Sequence, residues 1–244
     1  MGETADRPAF YALSPGGWRD YWSLLHPPYT AWHLSYVVIG ACIAPAVDVG
    51  WLVETLVAFF LAMGLAAHAL DELNGRPLKT SIPTGVLAAL AGVSIGAAAV
   101  IGLVAALEWT AWLLPFVIFG AFIVFAYNLE LFGGRFHSNL WFALAWGAFP
   151  VLTAYVGATE KLRPEAILAA AFAASLSLAQ RHLSTQVRNV RRRATQISGR
   201  VVYADGRDET VDANSFTPAP EAALRALTYA VVAVAATLLA LHTR

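Results

Sequence analysis

Three groups of residues in this chain have the types and spacings for chemistry. The first occupies residues 68–79. His68, Asp71 and Glu72 stand at i, i+3 and i+4, which puts them on one face of a helix. Two carboxylates beside an imidazole could hold a divalent cation or move protons. Asn74 follows, Gly75 and Pro77 stop the helix, and Arg76 and Lys79 add positive charge beside it. The second group lies at residues 180–193. Here His182, Gln186 and Asn189 fall at i, i+4 and i+7, and Arg181, Thr185 and Arg188 form a parallel stripe. Guanidinium groups grip phosphate through paired hydrogen bonds, so a face of Arg, Gln and His suits a phosphorylated head group. Arg191, Arg192 and Arg193 read instead as an anchor to anionic lipid. The third group joins Tyr127 and Asn128, which could orient a substrate or serve as an interfacial aromatic and a cap, to Glu130, Arg135, His137 and Asn139. His33 reads as a hydrogen-bonded interior group, and no partner can be named for Glu54.

The elements that must position these groups are membrane spans. Of 244 residues, 58% are hydrophobic and 13% charged, about half the charge of an ordinary soluble domain. The apolar residues come in runs near the roughly 20 that cross a bilayer as helix, without the alternation of a barrel. Seven spans are predicted, over residues 29–47, 51–73, 84–107, 109–131, 137–157, 164–188 and 221–242, which makes the expected fold an all-α polytopic membrane bundle. Residues 1–28 form an N-terminal segment with no apolar core of a signal peptide. Residues 189–220 form a loop, in which 200–212 alternate around Asp205-Gly206 as a small hairpin would, or stay flexible. Residues 221–244 hold the last span and the C-terminus. With the N-terminus inside, 13 Lys and Arg residues fall on one side and 3 on the other. Basic residues stay in the cytoplasm, so the N-terminus is expected there, the C-terminus outside, and the protein in the cell membrane. The zero net charge gives no basic surface for nucleic acid. The single Cys42 allows no internal disulfide.

The residues also carry a family likeness. The run from Tyr21 and Trp22 through His26-Pro27-Pro28 resembles the start of the first helix in UbiA-type intramembrane prenyltransferases. The run from Asp71 to Pro83, with Arg76-Pro77-Leu78, resembles that family's first aspartate-rich motif and its trailing segment. Tyr127-Asn128 through Ser138-Asn139-Leu140, followed by Trp146-Gly147 and Pro150, resembles its passage from fourth to fifth helix. The likeness spans roughly residues 18–200. It implies a magnesium-assisted transfer in which two acidic motifs hold the cation, the cation holds an isoprenyl diphosphate, and an acceptor traps the allylic cation. Two positions depart from the pattern. Where the family reads Asn-Asp-x-x-Asp, this chain has His68, Ala69 and Glu72. Where the second acidic motif belongs, it has Gln180, Arg181, His182, Gln186, Arg188 and Asn189 and no carboxylate.

The resemblance therefore implies a diverged transferase acting on an isoprenoid (di)phosphate. Asp71, Glu72 and His68 would be catalytic, and Asp71 and Glu72 would hold a single weak Mg2+. Asn74, Arg76, Lys79, Tyr127, Asn128, Arg181, His182, Gln186 and Arg188 would bind substrate or phosphate. Two other classes stay open: a non-catalytic isoprenoid-, quinone- or lipid-binding protein, which could serve as a subunit beside a protein partner, and a transporter using His68 and Asp71. Transporters usually carry internal repeats, and none is visible here. Because all three polar groups fall on one side, the helices should enclose a cavity open toward that side. Arg181 or Arg188 should point into it, toward Arg76 or Lys79.

Overall fold

The computed structural model describes residues 7–242; Arg244, used in the charge count, lies outside them. Among the described residues there are eight helices and one hairpin. A short helix, α1 (Trp18–Leu25), is followed by α2 (Pro27–Cys42), α3 (Val49–Leu73), α4 (Thr84–Glu108), α5 (Ala111–Asn128), α6 (Asn139–Thr159), α7 (Pro164–Arg193) and α8 (Pro218–His242). Six of these, α3 to α8, are long and apolar enough to cross a membrane, so this is an integral membrane protein of several transmembrane helices. The first expected span is shorter than read. It is helical over Pro27–Cys42, 16 residues, or about 24 Å at 1.5 Å per residue. Even so, α2 sits centrally, with Trp32, Tyr36 and Val37 fully buried and contacts to α3, α6, α7 and α8.

The helices run alternately between two ends of the bundle. At one end the Trp51 indole donates to the Ala154 carbonyl and the Trp109 indole to Glu54. There, too, His242 at the close of α8 bonds the Cys42 carbonyl at the close of α2. At the other end lie the start of α2, the end of α3, the turn after α5, the end of α7 and the start of α8. Arg191 of α7 pairs with Glu221 of α8 there at 2.6 Å. The outward faces are apolar, with Val93, Val100, Leu107, Ile118, Leu168 and Tyr229 exposed as lipid contacts would be.

Close approach of helices depends on glycine at a few points. A Cβ on Gly147 would fall 2.6 Å from the Ala173 carbonyl oxygen, and one on Gly40 would fall 2.4 Å from that of Val151. These contacts bring α6 against α7 and α2 against α6. Three helices also contain wide π-helical turns, at Phe60–Ala67 in α3, Ala143–Ala148 in α6 and Asn189–Arg193 in α7. One has a visible cause. Pro150 has no N–H to bond the carbonyl four residues back, and its ring crowds that carbonyl. That carbonyl belongs to Trp146, inside the second wide turn. Between α7 and α8 the hairpin forms, β1 (Gly199–Val202) pairing antiparallel with β2 (Asp208–Val211), with Gly206 at φ 83° in its turn.

Candidate functional site

The expected cavity is present at the end where the three polar groups meet. It measures about 480 Å3, within the usual range of ligand sites. His68, Asp71 and Asn74 reach it from α3, Tyr127 and Asn128 from α5, and Arg181 and Arg188 from α7. The N-terminal residues Pro8 to Tyr11 form part of its rim, and His26 and Tyr29 part of its wall. Gln180, Arg192, His137, Phe142 and Trp146 also line it.

The other residues expected at the site face elsewhere. Glu72 is fully buried. Its carboxylate accepts from the Leu78 N–H at 2.9 Å, the Thr80 N–H at 2.8 Å and the Thr80 hydroxyl at 2.9 Å. It is thus the anchor of loop 74–80, not a neighbour of Asp71 on one wall; adjacent helix residues point about 100° apart. Arg76 fastens the same loop from outside, donating to the Ile82 carbonyl at 2.6 Å and the Thr84 hydroxyl at 2.9 Å. Lys79 is exposed, so Arg181 and Arg188 do not point toward Arg76 or Lys79. His182 and Gln186 are exposed on another face of α7, where Gln186 reaches the Phe216 carbonyl. Of the two stripes read on this helix, the one with Arg181, Thr185 and Arg188 faces the cavity, and of the other only Asn189 reaches it.

Three imidazoles in the wall are held alike. Nδ1 of His33 lies 2.9 Å from the Trp146 carbonyl, that of His68 2.9 Å from Gly64, and that of His137 3.0 Å from Tyr127. A carbonyl only accepts, so each Nδ1 carries a proton, and Nε2 keeps a lone pair whenever the ring is neutral. The wide turns contribute here. Trp146 is the residue whose carbonyl Pro150 releases, and Gly64 lies in the turn before His68. His26 stacks on His68 with ring centroids 4.1 Å apart. Burial, then the neighbouring His68 ring and the charges of Arg192 and Arg188, hold the His26 imidazole well below its ordinary value. Burial likewise pushes Tyr11 up to about 12.

The charged wall is oriented by neutral groups. Arg188 donates to the hydroxyls of Ser184 at 3.2 Å and Thr185 at 2.8 Å. Arg181 contacts His137 Nε2 at 3.1 Å and lies over the rings of Tyr127 and Phe142. Arg192 donates to the Pro8 carbonyl at 3.0 Å. Three buried polar atoms, His26 Nε2, the Tyr127 hydroxyl and Gln180 Oε1, have no partner among the described residues, and all three residues line this cavity. Asp71 and Glu130 are the carboxylates in the wall. Among the described residues, no three His, Cys, Asp or Glu side chains gather as a metal site.

A second, smaller crevice of about 100 Å3 lies among α3, α4, α5 and α6 toward the opposite end. Phe59, Phe116, Phe149 and Leu113 line it, and Glu54 is its one ionisable residue. Compared with known families, curated proteins and solved structures, the chain has no match.

Sequence reasoning missed His26, Tyr11, Tyr29 and Gln180 as wall residues and read Arg192 only as an anchor. His26 was within reach. A residue before proline is pushed out of the helical region, and His26-Pro27-Pro28 marks a break that breaks the chain between α1 and α2, with His26 at φ 47°.

Proposed function

We propose that this protein is a diverged relative of the UbiA-type prenyltransferases and that its end cavity binds an isoprenoid (di)phosphate. The observation that carries this reading is an arginine-walled cavity containing three buried polar atoms without partners among the described residues. Such atoms are costly unless a ligand or water satisfies them. A separate apolar crevice, lined by other residues of α3, α5 and α6 together with α4, favours a ligand with a hydrophobic tail over a free anion. In a transferase, His68 Nε2 and Asp71 would take the acceptor's proton, with Tyr127, Asn128 and Asn74 positioning the substrate. The topology belonging to this reading has seven spans with α2 included, the cavity facing the cytoplasm and the C-terminus outside, in the cell membrane.

A second reading, binding without turnover, is favoured by the placement of Glu72. Its carboxylate is fully engaged by loop 74–80, which leaves Asp71 without the paired acid that a magnesium-dependent transferase would use. Purified protein incubated with a panel of prenyl diphosphates and aromatic or lipid acceptors tests both. Transfer that is lost in His68→Gln and Asp71→Asn supports the enzyme. Saturable prenyl diphosphate binding without product supports the binding protein. No binding of any prenyl diphosphate would reject the reading altogether.

A further inference from the structure

We infer that the cavity takes a phosphoryl group directly on Arg181, Arg188 and Arg192, with no divalent cation between protein and ligand. This rests on the reading above that the ligand is a phosphorylated lipid, and it specifies how the head group is held.

Three independent observations converge on it. First, the three guanidinium groups stand on one side of α7 and line one space, yet none has a carboxylate within 4 Å among the described residues. Each is steered instead by neutral atoms: serine and threonine hydroxyls for Arg188, an imidazole nitrogen and two ring faces for Arg181, a main-chain carbonyl for Arg192. Neutral partners fix direction, and the carboxylates that share the cavity, Asp71 and Glu130, stand beyond ion-pair distance of all three. The same helix does form an ion pair where it secures α8, with Arg191 on Glu221 at 2.6 Å. Cations sharing a partly buried space repel one another unless an anion lies between them.

Second, the orphaned polar atoms lie in the same wall. Tyr127 is 4% exposed and Gln180 2%, and both line the cavity with a polar atom unpartnered. The Tyr127 hydroxyl can donate to a phosphoryl oxygen. The Gln180 amide can do so in its flipped orientation, since its two ends are interchangeable in shape. Third, the acidic side is too weak for a bridging cation. Magnesium wants oxygen ligands in octahedral array, usually from carboxylates and substrate phosphates together. Here one carboxylate, Asp71, belongs to the helix wall, Glu130 comes from the turn after α5, and Glu72 is consumed by its loop. Guanidinium forks match phosphate bidentately without a metal.

The test uses the full chain in detergent, followed by its melting temperature with farnesyl diphosphate, inorganic diphosphate or farnesol, each in EDTA and in magnesium. A ligand that binds the native state raises that temperature. The expected result is a rise with farnesyl diphosphate that is equal in EDTA and in magnesium, and little rise with farnesol. Arg181→Gln with Arg188→Gln should weaken farnesyl diphosphate about tenfold or more, as loss of charge-assisted hydrogen bonds does. Asp71→Asn should bind as well or more tightly, opposite in sign to the loss of a metal ligand. A rise that needs magnesium, or one lost in Asp71→Asn, overturns the inference and leaves the lipid reading standing. A rise equal for inorganic and farnesyl diphosphate supports the arginine site but ends the lipid reading. Farnesol matching farnesyl diphosphate, or no rise with any compound, overturns both.

Discussion

At the scale of single residues, Glu72 separates a structural role from a chemical one. Its side chain has no access to the cavity and accepts three hydrogen bonds from the loop, which Arg76 fastens from the other side. Glu72→Gln puts an amide NH2 against at least one of those donors. Hydrogen bonds to a charged group contribute roughly 1.5–3 kcal/mol, and a buried donor left unpaired costs a similar amount. The variant should therefore lose several degrees of melting temperature while ligand affinity, measured well below that temperature, stays within about twofold. A large loss of affinity in stably folded Glu72→Gln would return Glu72 to the site. Asp20 has a comparable anchoring role. Burial raises its carboxyl, but the hydrogen bonds from the Ser81 hydroxyl and from the Gly16 and Ser81 amides outweigh that and hold it below the usual carboxylate range. It fastens α1 to the loop before α4.

At the scale of elements, what could be read from sequence followed the physics of each segment. Six of the seven expected spans were legible because runs of Ala, Leu and Val have one stable solution in lipid. The hairpin was legible from Asp205-Gly206, since Gly206 needs its positive φ. The division of α7 into a cavity stripe and an outward stripe was not, because both are polar and spacing alone does not say which faces inward. The separation of Asp71 from Glu72 escaped for a related reason: helical spacing puts them near one face, but the loop that claims Glu72 returns from residues 78–80. The wide turns had a partial signal in Pro150. Close packing of α6 on α7 is testable at Gly147. Gly147→Ala sets a methyl group against main-chain atoms of Ala173 and Ala174, none of which can rotate away. Overpacking of this kind costs roughly 1–3 kcal/mol. Melting should fall by about 2–10 °C, and ligand affinity should fall with it, since Trp146, next to Gly147, lines the cavity. A variant as stable as the wild type would show that α6 and α7 are not pressed together.

At the scale of the whole molecule, the charge asymmetry and the cavity fall together. The loops, hairpin and helix ends carrying Arg19, Arg76, Arg135, Arg188, Arg200 and Arg225 share the cavity's end, and Lys161 and Arg163 lie at the other. Reporter fusions to the two termini should place the N-terminus in the cytoplasm and the C-terminus outside. Both reporters on one side would remove α2 or another helix from the count of spans. The rim of the cavity adds a different kind of consequence. Arg191 and Arg192 hold the N-terminal segment by the carbonyl oxygens of Arg7 and Pro8, atoms that every amino acid possesses. Such a contact is blind to side-chain identity. A mutational scan would record residues 7 and 8 as freely replaceable, although the peptide backbone there is part of the cavity wall; only a change in chain length, shifting which carbonyl meets which guanidinium, would reveal that the position matters.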